Sequence, residues 1–419
     1  MAWMVWGLGA ALYLIAFYQR VAPAVMTQEL VRDFELTAAS LGNLSAFYFY
    51  GYVAVQIPTG LLADRFGPRI VLASGAVLTA IGTLVFALAP SAAFANAGRL
   101  AIGTAGGVAF VAMMKLATHW MPARQFAYAT ALALFVGTLG ATVAGAPLRV
   151  AVDAFGWRPV MVASACITAI VAIAIGIVVR DDPAERGYAS FFASDSHGAG
   201  APSIAAQLRE VFRYRTTWAM VVVPGALSGI VLAFAGLWGV PFLVSQYGFG
   251  ARAAATTASA MLIAWALGGL AFAWISQRAG GRKAPIMAGT ILAALLWAVI
   301  VFVPGLAAVV LVALLMACAF AAGAAMLTFP LAKESVPARL AGTVSGIANM
   351  GMMLGGMLTQ PAIGLILDRN WNGAMVNGVR TYGFEAWRDG FALMLAWAAV
   401  AVVALSFVRE GRASRESSS

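Results

Sequence analysis

The sequence predicts an all-α polytopic membrane protein, with twelve transmembrane helices in two pseudo-symmetric six-helix bundles. Composition is the first sign: of 419 residues, 62% are hydrophobic and 10% charged, where a soluble domain carries about 25% charged residues. The second is block length. The apolar residues fall into runs of about 20, enough to cross a roughly 30 Å hydrocarbon core as helices. The third is the lack of period-two alternation, which disfavours a closed barrel and leaves the helix to satisfy backbone groups in lipid.

In chain order the expected spans are 3–26, 40–62, 70–90, 96–118, 126–147, 159–180, 216–242, 254–276, 284–304, 306–331, 341–367 and 389–408. The first run begins almost at Met1 without a basic n-region or a cleavage pattern after it, so it reads as helix 1 and not as a signal peptide. The longest hydrophilic stretch divides the runs six and six. The expected organisation is a first bundle over 1–180, a linker over 181–215, a second bundle over 216–408 and a tail over 409–419. Within the linker, the Ser/Gly/Ala-rich piece Ser190 to Ser203 suggests flexible chain, and Ile204 to Tyr214 suggests a short amphipathic helix on the membrane surface.

The formal net charge of +10 is not a nucleic-acid footprint, because Lys and Arg sit between apolar runs and form no basic face with interleaved aromatics. With a cytoplasmic N-terminus, basic residues favour the inner connections about two to one, so the expected location is the inner membrane with both termini in the cytoplasm. Cys166 and Cys318 each lie inside an apolar run and are expected to be packing residues. No metal-ligand spacing, cofactor motif or catalytic cluster is visible, and an enzyme is not expected. The expected partners are a small solute and the lipid bilayer, with the protein itself monomeric.

The halves repeat in register. Ala63-Asp64-Arg65-Phe66-Gly67-Pro68-Arg69 aligns with Ser276-Gln277-Arg278-Ala279-Gly280-Gly281-Arg282, and Pro122-Ala123-Arg124 aligns with Pro337-Ala338-Arg339. The second register sets Gly140 on Gly355, at one depth of spans 5 and 11. Parallel repeats of this kind build carriers whose site lies at the repeat interface.

Gly60-Leu61-Leu62-Ala63-Asp64-Arg65-Phe66-Gly67-Pro68-Arg69 closely resembles the loop 2–3 signature of the major facilitator superfamily, G-x-L-A-D-R-x-G-x-[RK], and the resemblance extends over the whole chain. It implies gating. Gly60 is expected to admit a neighbouring helix, Gly67 to turn sharply, Asp64 to accept from a helix N-terminus, and Arg65 and Arg69 to complete the loop. Gln277 replaces the acid in the second half, so the latch is expected to be asymmetric. Lys115, at the inner end of span 4, is either a gate cation or a topological anchor.

Arg99 opens Arg99-Leu100-Ala101-Ile102-Gly103, which resembles the family's span 4 motif. An ionisable residue inside a span is a functional candidate by default, with a snorkelling structural arginine as the alternative. In span 1, Arg20 is placed to take a carboxylate as a bidentate pair, with Tyr18 or Tyr13 orienting it. Tyr48, Tyr52 and Gln56 form a polar stripe one turn apart in span 2. The second half offers Trp238, Trp265, Asn349 and Gln360.

No acidic residue falls convincingly inside a span, so the embedded charge is positive and suits an anionic solute moved by facilitated diffusion or exchange. Phe17-Tyr18-Gln19-Arg20-Val21-Ala22-Pro23, Gln56-Ile57-Pro58-Thr59-Gly60 and Lys115-Leu116-Ala117 resemble, within the superfamily, the branch of intraphagosomal amino-acid carriers and lysosomal dipeptide transporters. That likeness implies an amino acid or dipeptide moved by alternating access. An organic-anion exchanger is the rival expectation.

Overall fold

The computed structural model describes residues 1–56, 58–188, 204–376 and 378–408. The Ser190 to Ser203 linker piece and the 409–419 tail lie outside the described residues. Helices account for nearly all the rest: α1 (Ala2–Val21), α2 (Thr27–Phe34), α3 (Ala38–Gln56), α4 (Pro58–Phe66), α5 (Pro68–Ala87), α6 (Ala92–Trp120), α7 (Ala123–Val143), α8 (Ala146–Phe155) and α9 (Trp157–Val178) form the first half. The second half has α10 (Ile204–Val211), α11 (Arg215–Ala233), a π-turn over Phe234–Trp238, α12 (Gly239–Tyr247), α13 (Ala251–Ala279), α14 (Lys283–Phe302), α15 (Ala308–Ala322), α16 (Thr328–Glu334), α17 (Ala341–Arg369) and α18 (Phe384–Ser406). A two-stranded hairpin, β1 (Met375–Val376) with β2 (Val379–Arg380), lies between α17 and α18.

Among the described residues eleven helical runs are long and apolar enough to cross a membrane. The twelfth expected span, 40–62, is covered by α3 to Gln56 and α4 from Pro58, with residue 57 outside the described residues. The protein is an all-α multi-pass membrane protein. On α9, Ile167, Ile170, Ile173 and Ile177 are all exposed at helical spacing, an apolar stripe suited to lipid and not to water. Cys166, on the same helix, is also exposed and so is not the packing residue expected; Cys318 is buried.

The chain divides into two compact units, Met1–Met26 with Phe47–Ala201, and Thr27–Ala46 with Pro202–Ser419. The unit boundary therefore falls inside α3. In the first unit α1 packs on α6 and α7, and α5 on α6 and α9. The contacts are backbone-close: a Cβ at Gly103 would fall on the Tyr48 carbonyl, and one at Gly140 on the Leu14 carbonyl. In the second unit a Cβ at Gly355 would crowd the Gly225 carbonyl at 2.6 Å. The two glycines aligned by the sequence repeat thus do the same work, seating α7 on α1 in one unit and α17 on α11 in the other.

Candidate functional site

In the first unit the side chains converge on Arg20. Position 20 lies on the inward stripe of α1 with Tyr13, Ala16 and Phe17, and Arg20 is only 5% exposed. Its guanidinium carbon sits 4.2 Å from the Phe17 ring centre, 5.5 Å from Tyr48 and 5.4 Å from Tyr52. Arg20 donates to the Tyr48 side chain, while its Nε has no partner. Tyr48 in turn donates to the Ala16 carbonyl at 3.2 Å and stacks on Tyr52, ring centres 6.1 Å apart. Tyr13 packs edge-on against Phe17 at 4.8 Å and lies within electrostatic reach of Arg20 and Tyr52.

Arg99 joins the cluster from α6. It is 1% exposed, its guanidinium lies 5.2 Å from the Tyr48 ring, and its Nη1 donates to the Gln19 carbonyl at 2.5 Å. Arg99 therefore ties α6 to α1 as well as adding charge. Arg149 on α8 makes the contrast: it is buried too, but Asp153 one turn on neutralises it at 2.6 Å, and the Val25 carbonyl accepts from its Nη1. No Asp or Glu among the described residues is fully buried.

Two expected members are placed differently. Tyr18 is two positions from Arg20, which on a helix turns it about 200° away, and its hydroxyl hydrogen-bonds Ser164 of α9. Gln19, not singled out from the sequence as a site residue, is fully buried and donates to Thr83 at 3.0 Å and Ser164 at 3.1 Å. Gln56, on α3, has its side-chain oxygen unpartnered.

The expected gate loop also differs in detail. Asp64 accepts from Lys115 Nζ at 2.6 Å, and Lys115 also donates to the Ala63 carbonyl at 2.7 Å. The carboxylate serving a helix N-terminus here is Asp181, which accepts from the Arg69 amide at 2.6 Å at the start of α5. Gly67 has φ +82°, and a Cβ there would fall on the Asp181 carboxylate, so glycine is required twice over. Arg69 donates to the Gly176 carbonyl at 2.7 Å, and exposed Arg65 stacks on Phe66. A Cβ at Gly60 would meet nothing, so no close helix approach depends on it in this structure. In the second unit Glu334 pairs with Arg282 at 3.1 Å.

Of the second unit's candidates, the structure joins Trp238 and Gln360. The indole donates to the Gln360 carbonyl at 3.0 Å, and the Gln360 amide donates to the Leu232 carbonyl at 2.9 Å. Trp238 ends the π-turn, a local widening that often marks a functional position. Trp265 is elsewhere, donating to the Ala322 carbonyl at 3.2 Å. Asn349 is half-buried on α17, about three turns from Gln360 on the same face.

The family model described as Major Facilitator Superfamily matches residues 9–360. A probable sulfoacetate transporter of Cupriavidus necator is 24% identical over 381 residues, 87% of each chain. The gentisate transporter of Corynebacterium glutamicum is 24% identical over 383 residues, covering 90% of this chain and 83% of its own. Among solved structures, a bacterial homologue of the human lysosomal transporter Spinster, inward-facing and occupied, superposes with TM-score 0.74 at 18% identity, covering 96% of this chain and 95% of that one. The nucleoside transporter NupG gives 0.73 at 14% identity, with 96% and 98% covered.

Proposed function

The chain belongs to the major facilitator superfamily, and on that premise we propose that this secondary transporter carries small organic anions by alternating access, as exchanger or uniporter. The observation that carries the proposal is Arg20, a guanidinium 5% exposed among the faces of Phe17, Tyr48 and Tyr52. A buried cation is costly until an anion compensates it. A carboxylate or sulfonate does so with short, charge-assisted hydrogen bonds, and the guanidinium's planar fork matches either. The rings leave Arg20 its charge while covering its faces, which directs a ligand to the donor edge. Arg99 adds a second positive charge to the same aromatic wall.

This reading replaces the amino-acid or dipeptide expectation. A zwitterion brings an ammonium that needs an acceptor, and no fully buried carboxylate is described to receive it. The relatives above are named for sulfoacetate and gentisate, both organic acids, not for amino acids or peptides. The same absence among the described residues removes the usual intramembrane carboxylate of a proton relay, which favours exchange or uniport.

The test is thermal unfolding of the purified protein with sulfoacetate, gentisate, dicarboxylates, amino acids and neutral dipeptides. A ligand at about 100 times its dissociation constant adds roughly 2.7 kcal/mol to the folded state. Stabilisation by organic anions is expected; stabilisation by dipeptides or amino acids alone overturns the proposal.

A further inference from the structure

Two helices of the first unit carry the same pattern, a cation followed by rings along one face. On α1 that face runs from Arg20 to Phe17, about one turn back, and to Tyr13, about two turns back. On α6 it runs from Arg99 to Phe110, about three turns on. The faces meet at both ends. Arg99 donates to the Gln19 carbonyl at the cation end. At the ring end Phe110 lies against Tyr13, ring centres 5.3 Å apart, with Phe17 4.8 Å from the same ring.

Glycines leave room for these rings. A Cβ at Gly106 would stand 2.8 Å from the Tyr48 hydroxyl, and one at Gly137 of α7 would meet Tyr13 at 2.9 Å and Phe17 at 3.3 Å. Exposure then separates the rings into two sets. Tyr13, Tyr48 and Tyr52 are buried, at most 7% exposed, whereas Phe17 and Phe110 are half-buried. Both phenylalanines are turned toward other side chains of the site, Phe17 toward Arg20 and Phe110 toward Tyr13. They therefore offer a ligand on Arg20 an apolar surface to lie against.

The planar fork of Arg20 sets the plane of that ligand. A carboxylate bound bidentately lies in the plane of the guanidinium. In an aromatic acid the ring is conjugated with its carboxylate and continues the same plane, whereas a saturated ring puts hydrogens above and below it. Phe17 stands at stacking distance from the fork, 4.2 Å from the guanidinium carbon, which leaves little room on that side for substituents out of the plane. A flat ring extends the stack over Phe17 and reaches Phe110 in the offset and edge-to-face arrangements that aromatic pairs favour, each such pair tightening binding about two- to tenfold.

We propose that the carrier selects flat aromatic carboxylates, the carboxylate taken by Arg20 and the ring laid against Phe17 and Phe110. This rests on the organic-anion reading above and names the class of anion within it. Phe110 is then a specificity-determining residue that neither the sequence motifs nor the buried cations pick out, and Gly137 serves the same slot by staying small.

The test is isothermal titration of the purified protein with benzoate and with cyclohexanecarboxylate, which share charge and ring size and differ in flatness. Benzoate is expected to bind at least about fivefold more tightly. Phe110→Leu, which leaves Arg20, Phe17, Tyr48 and Tyr52 in place, is expected to reduce that ratio by about threefold or more and to change cyclohexanecarboxylate by less than about twofold. Phe135→Leu, at a ring 64% exposed on α7, should leave the ratio as it is. Equal affinities, tighter binding of the saturated acid, or a ratio unaltered by Phe110→Leu would each overturn the aromatic slot and leave the organic-anion proposal standing. Binding of neither acid while an aliphatic dicarboxylate or sulfoacetate still binds would do the same. Binding of no organic anion at all would remove both. If Phe110→Leu does not fold, Phe17→Leu decides by the same ratio, a fall supporting the slot and an unchanged value refuting it.

Discussion

Replacing Arg20 by Gln separates a binding role from a packing role, because the two predict opposite changes. In the free protein Arg20 is a buried cation whose described neighbours are rings and a phenol. Cation–π contacts repay about 0.5–2 kcal/mol each, against a desolvation penalty of several kcal/mol per buried ion. Removing the charge should therefore leave the unliganded melting temperature unchanged or raise it. Binding should move the other way. A hydrogen bond to a charged group is worth about 1.5–3 kcal/mol, so losing the charged donor should weaken an organic anion about 10- to 150-fold. Arg20→Lys, which keeps the charge and loses the bidentate fork, should fall between. Isothermal titration with whichever of sulfoacetate or gentisate stabilises the wild-type protein gives the affinities, and a ligand-free melt gives the stability. An Arg20→Gln variant that melts several degrees lower yet binds within twofold of wild type would make Arg20 a structural residue and remove the basis of the proposed function.

Three other outcomes follow from the geometry. Asp64→Asn should cost the folded state no more than about 1 kcal/mol, since the Lys115 pair is half exposed at the Asp64 side chain, but should lower turnover more than binding in a reconstituted transport assay. Gly103→Ala should destabilise the first unit by roughly 1–3 kcal/mol or prevent folding, because the added Cβ falls on the Tyr48 carbonyl; Gly60→Ala, with nothing in the way, is the matched control in the same melt. Glu210 on α10 pairs bidentately with Arg339, and that guanidinium holds its carboxyl below the ordinary carboxylate value. A depressed acid stabilises the fold above its ordinary pKa and loses that contribution as pH falls through its folded value. Protection of the 204–211 amides, measured as exchange relative to the unstructured rate at each pH, should therefore hold at neutral pH and fall only below about pH 4.5, the ordinary value, with Glu210→Gln lowering it at neutral pH.

Long-range partners are where sequence reading ran out. The apolar runs placed the spans because lipid leaves the backbone one solution, and the paired glycines at 140 and 355 were legible because a repeat constrains both copies alike. The local clustering of Tyr48 and Tyr52 follows from their one-turn spacing, and the separation of Tyr18 from Arg20 follows from the same rule applied to a two-residue step. Nothing local marks Lys115 as the partner of Asp64, Asp181 as the cap of α5, or Asp368 as the cap of α3. Each pairing spans 51 residues or more and exists only once helices distant in the chain are packed.

The charge of the empty site bears directly on the mode of transport. With Arg20 buried and no fully buried carboxylate described near it, the unliganded carrier bears an uncompensated cation through any state that closes both sides. The loaded carrier does not, since the anion neutralises the guanidinium there. If ligand offsets about 3 kcal/mol of that penalty, the loaded form should cross between its two states roughly 150-fold faster than the empty one. Exchange, which needs only the loaded crossing, should then outrun net efflux, which needs the empty return. Proteoliposomes preloaded with labelled anion provide the measurement: unlabelled anion outside should accelerate efflux by one to two orders of magnitude, and Arg20→Gln should abolish the acceleration. Equal efflux with and without external anion would mean that something other than the solute compensates Arg20 in the empty protein, and the carrier would then be a uniporter.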